Sequence, residues 1–246
     1  MRGGEHAFEA VVFDLGLTLI RYPREQIMGG LLERLGRPVE AGRLAAAYYR
    51  TDKYFMREHP GLLAQDPRTY YSRYLERLFA ELDLDLDPRR VAEMMFSQPR
   101  PRADWEPYPE TRAVLEDLRA RGYRLGLVSN WDASGPATVA RLGLDRLLDA
   151  ALFSALEGVA KPDPEIFRRA ARRLGLPAGR ILYVGDNYHD DAPGALAAGF
   201  RFVLIDRLPH VDCGETWDCP VVHDLWGVVR YLEEGRGGGP AAGAAR

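Results

Sequence analysis

Val11-Val12-Phe13-Asp14-Leu15-Gly16-Leu17-Thr18-Leu19 is the stretch whose reading decides the fold. A short apolar run ends in an aspartate, followed by a glycine and a threonine. Runs of this length read as strands buried on both faces. An aspartate ending such a strand stands at the carboxyl edge of a parallel sheet, where open α/β folds place their ligands. The same residue also suits a simple turn cap, so the choice rests on the rest of the chain.

Working outward, Arg21 to Asp104 contains helical patterns and no strand pattern. They run over 24–35, 39–58, 67–82 and 88–96, with apolar residues three and four apart, as in Tyr70, Tyr74, Leu75, Leu78 and Phe79. Breaks fall at Gly36-Arg37-Pro38, His59-Pro60-Gly61 and Asp87-Pro88. Pro99-Arg100-Pro101-Arg102 reads as a stiff return linker.

From Trp105 strands and helices alternate. Strands are expected at 124–130, 150–153, 181–186, 202–205 and 220–222, and helices from Pro109, Gly135, Pro164, Asp191 and Asp224. The expected fold is α/β: a Rossmann-like, doubly wound parallel core over 1–20 and 105–234, a helical insertion over 21–104, and a Gly/Ala-rich disordered tail over 235–246.

Composition narrows the function. A net charge of −3 offers no basic field for nucleic acid or anionic lipid. No run approaches the eighteen or so apolar residues of a membrane span, and Met1 to Glu9 carries no signal-peptide core, so a cytoplasmic protein is expected. Cys213 and Cys219 lack a second pair, so neither a zinc site nor a disulfide framework is indicated. Arginine replaces lysine almost everywhere: Lys53 and Lys161 are the two lysines, and Asn130 and Asn187 the two asparagines. Such a skew fits heat adaptation or a G+C-rich genome, and it makes each remaining lysine or asparagine informative.

Four strand ends or adjoining loops carry polar groups: Asp14 with Thr18, Ser129 with Asn130, Lys161, and Asp186 with Asp191. Each alone has an ordinary explanation, namely turn chemistry, a solvated charge or helix capping. Together they suit phosphoryl transfer through an aspartyl intermediate. A carboxylate nucleophile divides hydrolysis into two easier steps. Mg²⁺ takes oxygen ligands, available from Asp14, Asp186 and the carbonyl of Gly16. Ser129 and Lys161 would hold and neutralise phosphate oxygens.

In this order the motifs resemble those of the haloacid dehalogenase superfamily: Phe13-Asp14-x-x-x-Thr18-Leu19, Val128-Ser129-Asn130, Lys161-Pro162 and Gly185-Asp186-x-x-x-x-Asp191. The resemblance spans about residues 9 to 232, and the helical insertion resembles the C1-type cap of subfamily I. It implies Asp14 as nucleophile, Thr18, Ser129 and Lys161 around the phosphate with Asn130 more loosely attached, and Asp14, Gly16, Asp186 and Asp191 around Mg²⁺, Asp191 directly or through water. The implied partner is a small phosphorylated metabolite.

One departure matters. Phosphatases of this superfamily carry a second aspartate two positions after the nucleophile, as acid and base; here Gly16 stands there. Three accounts follow: a phosphatase with a good leaving group or a substitute acid such as Asp132; metal-free dehalogenation on the same nucleophile, against which the Asp186/Asp191 pair argues; or a weakened protein that binds a phosphate ligand or regulates. His189 reads as a plain loop histidine, and the run Tyr48 to Tyr54 as aromatic packing with a solvated charged face.

Overall fold

The computed structural model describes residues 7–97 and 105–235. The return linker at 99–102 and the tail from 236 lie outside the described residues.

In chain order, β1 (Ala10–Phe13) leads into β2 (Ile20–Arg21), then α1 (Arg24–Arg34), α2 (Ala41–Glu58), α3 (Pro67–Glu81) and α4 (Pro88–Ser97). The chain returns through β3 (Glu106–Pro107), α5 (Thr111–Ala120), β4 (Arg124–Ser129), α6 (Gly135–Arg141), β5 (Ala150–Phe153) and α7 (Ser154–Glu157). It ends with α8 (Pro164–Leu174), β6 (Ile181–Gly185), α9 (Tyr188–Ala197), β7 (Arg201–Ile205), β8 (Val221–Val222) and α10 (Leu225–Glu234). Six strands form a parallel sheet in the order β5-β4-β1-β6-β7-β8.

The alternation of side chains along a strand explains the layers. Val11 and Phe13 face Val114, Leu115 and Leu118 of α5 and Val228 and Leu232 of α10. Ala10 and Val12 face Ile166, Phe167, Ala170 and Leu174 of α8 and Ala192 and Ala195 of α9. A strand apolar at every position is thereby buried on both sides, as its sequence requires.

The helices α1 to α4 enclose a third apolar cluster, including Met28, Leu32, Tyr48, Phe55 and the expected Tyr70, Tyr74, Leu75, Leu78 and Phe79. A two-residue antiparallel pair, β2 with β3, joins this insertion to the sheet; no periodicity in so short a segment announces it. The helix expected from Asp191 begins three residues earlier, at Tyr188, because the Asn187 side chain accepts the Asp190 amide and caps it. His189 therefore lies in a helical turn rather than a loop, with Nε2 2.9 Å from Glu215. No helix among the described residues is long and apolar enough to cross a membrane.

Candidate active site

The parallel pairing places Asp14, Ser129 and Asp186 side by side, because β1 lies between β4 and β6 and all three strands end at the same edge. Lys161, before α8, completes the group. Its ammonium lies 2.6 Å from Asp14 Oδ1, 2.6 Å from Asp191 Oδ1 and 3.0 Å from the Tyr183 hydroxyl. Burial alone would push this ammonium down; the two carboxylates outweigh it and hold Lys161 well above the ordinary lysine range. It stays charged while buried.

Asp191 is fully buried, and both its oxygens are engaged: Oδ1 by Lys161 and Tyr183, Oδ2 by the Asn187 amide. That geometry supports the lysine and the loop around Asp186. Gly185 is required for it, since a Cβ there would collide with Asp191 Oδ2. Gly185→Ala is expected to cost about 1–3 kcal/mol of stability, as overpacking does, read from the midpoint of a urea melt.

Thr18 does not line the cavity around Asp14. Its hydroxyl donates to Asp186 Oδ1 at 3.1 Å and so orients that carboxylate. Asn130 lines the cavity but braces Lys161: Nδ2 donates to the Lys161 carbonyl at 2.9 Å, and Oδ1 accepts the Lys161 amide at 2.8 Å. Ser129, Gly16, Asp14, Lys161 and Asp186 border one cavity of about 550 Å³. Asp132 also borders it, but is exposed and accepts the Ser134 amide at 2.7 Å.

Burial raises the pKa of Asp186, and the charge of Asp14 raises it further. Two carboxylates thus crowd one another in a poorly solvated place. Among the described residues no group of three or more acidic, His or Cys side chains forms a metal cage. Two carboxylates with the Gly16 carbonyl nevertheless match Mg²⁺, which binds few carboxylates and keeps its remaining positions for water and phosphate oxygens.

The helical insertion reaches the same edge. Lys53 on α2, 4 % exposed, donates to the Asp186 carbonyl at 2.7 Å and sits over the Tyr49 and Trp217 rings. Asp52, also buried, takes Arg24 and the Tyr74 hydroxyl. The expected solvated face of Tyr48 to Tyr54 is therefore corrected: aromatic packing holds, but Asp52 and Lys53 are buried, because α2 lies between the other helices of the insertion and the sheet edge. Asp190, which the sequence reading missed, accepts the Gly61 amide from the insertion at 3.0 Å, and burial raises its pKa. The rarity of lysine was the available signal for Lys53. For Asp190 there was none, since it adjoins a better motif match. Cys213 and Cys219 are free thiols.

An α/β fold with a carboxylate, a buried lysine and a second carboxylate at one sheet edge defines a hydrolase-type site. Residues 8–199 match the model of the haloacid dehalogenase-like hydrolases, and the chain belongs to that family. A phosphatase of Mycobacterium tuberculosis is 33% identical over 175 residues, 69% of this chain and 72% of that protein. The glyceraldehyde 3-phosphate phosphatase of Methanopyrus kandleri is 32% identical over 149 residues, 58% of this chain and 62% of the relative. Thus the match spans less than two thirds of that archaeal enzyme's length. Among solved structures, the L-2-haloacid dehalogenase RSc1362 superposes with a TM-score of 0.59 at 26% identity, covering 92% of this chain and 99% of that one.

Proposed function

We propose that this hydrolase is a Mg²⁺-dependent phosphomonoesterase of small phosphorylated metabolites, with Asp14 as nucleophile and the helical insertion as a cap over the site. The observation that carries the reading is the buried Lys161 ammonium, in contact with Asp14 and sharing a cavity with Ser129 and Asp186. An anionic substrate meeting an anionic nucleophile needs that kind of compensation.

Lys161 holds the Asp14 carboxylate in place and offsets charge on the incoming phosphate. Ser129 offers a hydroxyl to a phosphate oxygen. Asn130 fixes the lysine's backbone, and Thr18 sets the Asp186 carboxylate. Asp14, Asp186 and the Gly16 carbonyl would hold Mg²⁺, which when bound supplies positive charge between nucleophile and phosphate. Asp14 attacks phosphorus, the ester P–O bond breaks with its electron pair on the leaving oxygen, and water then releases phosphate from Asp14. The contacts of Lys53 with the Asp186 carbonyl and of Gly61 with Asp190 at the start of α9 hold the cap against the core.

Gly16 leaves the leaving group without the usual acid, a function worth about 10²–10⁴-fold. A Cβ at position 16 meets Trp105 and Trp131 at 3.6 Å, which is ordinary contact. Gly16→Asp is therefore expected to fold and to raise turnover of alkyl phosphates on the order of 10²-fold. The reading is tested by phosphate release from 4-nitrophenyl phosphate with Mg²⁺ and with chelator. Mg²⁺-dependent turnover and a Mg²⁺-induced rise in melting temperature are expected. Halide release from a 2-haloacid in the presence of chelator would replace the reading with dehalogenation. Stabilisation by phosphate without turnover would replace it with a binding role.

A further inference from the structure

Trp105 and Trp131 form a wall beside Gly16. Their ring centroids are 5.0 Å apart at 61°, and both rings would touch a Cβ at position 16. Trp131 is fixed from behind, with Nε1 donating to Ser134 Oγ at 3.3 Å and its amide to Ser154 Oγ at 3.1 Å. Both indoles border the cavity that holds Asp14, and so do Met56, Leu63 and Pro67 from the insertion.

The charges around this cavity are one-sided. Among the described residues, Lys161 is its one basic side chain, and Lys161 is already held by Asp14 and Asp191. Asp66 and Asp132 border the same space, each accepting a backbone amide and neither paired with a cation among the described residues. The ground beyond the phosphate is thus aromatic and apolar, with acids at its margin. It repels an anionic leaving group and accepts a flat, uncharged one.

We infer that the Trp105–Trp131 wall selects phosphate monoesters whose leaving oxygen sits on an uncharged aromatic ring, an inference that rests on the phosphatase reading above. The chemistry agrees with the missing acid. When Asp14 attacks phosphorus, the cleaved P–O bond leaves its electron pair on an aryl oxygen, where the ring delocalises the charge and no proton is needed. Water then attacks the phosphorus of phospho-Asp14, the bond to Asp14 returns its electron pair to the carboxylate, and the proton lost by water ends on the departing phosphate. Gly16 and the indoles are two halves of one arrangement: no acid at position 16, and a surface for a leaving group that needs none.

The test compares kcat/KM for phenyl, cyclohexyl and 4-carboxyphenyl phosphate, with acetyl phosphate as a reference whose leaving group needs no acid and has no ring. Cyclohexyl phosphate should fall below phenyl phosphate by on the order of 10³-fold. The 4-carboxyphenyl ester should also fall below phenyl, although its leaving group is better. Trp131→Ala should reduce the phenyl-to-acetyl preference about tenfold, through KM, while Trp131→Phe keeps most of it. Similar rates for phenyl and cyclohexyl phosphate, or a preference that survives Trp131→Ala, would overturn the inference and leave the phosphatase reading standing. Folded protein that turns over neither acetyl nor phenyl phosphate would overturn both.

Discussion

Asp14→Asn is expected to lower phosphate release on the order of 10⁴-fold or more, while the protein stays folded. Asparagine keeps the shape of the side chain and its place at the end of β1, but its amide oxygen is a poor nucleophile for phosphorus. The loss therefore falls on chemistry rather than on architecture. Lys161 retains Asp191 at 2.6 Å, so its ammonium is not left without a carboxylate. Asp14→Glu makes a second, independent case. Asp14 is only 8 % exposed and in contact with Lys161, and one added methylene displaces the carboxylate from that place by more than ~1 Å. Misplacement on that scale costs about 10²-fold. Single-turnover phosphate release separates the two variants: the asparagine protein should form no phospho-enzyme, and the glutamate protein should form it slowly. Wild-type rates in Asp14→Asn would remove Asp14 from the reaction.

The sheet was legible from the sequence wherever a strand was buried on both faces and ended in a polar group. β1, β4 and β6 have this form, and their observed ends lie within one residue of the expected ones. That Asp14, Ser129 and Asp186 stand together followed from the same feature, because neighbouring parallel strands bring their carboxyl ends together. What pattern reading does not carry is direction. Thr18 belongs to the motif, yet its hydroxyl turns to Asp186 rather than to the cavity. Asn130 likewise turns to the backbone of Lys161. Motif position fixes where a Cα stands at the sheet edge; side-chain torsions and neighbours from distant segments decide what the oxygen or nitrogen meets. Lys53 is the sharpest example. It is 133 residues from Asp186 in sequence, and only the packing of α2 on the core makes that lysine part of the site.

The same network of contacts sets the second large expectation. Lys161→Met should destabilise the metal-free protein by about 3–5 kcal/mol, the cost of leaving buried charges without their partner. Methionine fills the slot but offers nothing to Asp14 and Asp191, which share the ammonium now. For a chain of this size the melting temperature should fall on the order of 10 °C. Lys161→Arg should not restore it, because a planar guanidinium does not fit a pocket built for one compact cation between two carboxylates and the Tyr183 hydroxyl. Pairing Lys161→Met with Asp191→Asn separates charge from shape. Removing the fully buried acid as well takes away one of the uncompensated charges, so the double variant should be more stable than the sum of the two single losses, with a coupling of about 1–3 kcal/mol. Calorimetric melts of the four proteins at one pH, with chelator present, give that coupling directly. A coupling near zero would mean that Asp191 is neutralised by protonation rather than by the lysine. The burial that raises the Asp191 pKa against the pull of Lys161 makes this the real competitor, and the cycle decides between them because protonated Asp191 would lose nothing further when its oxygen becomes an amide.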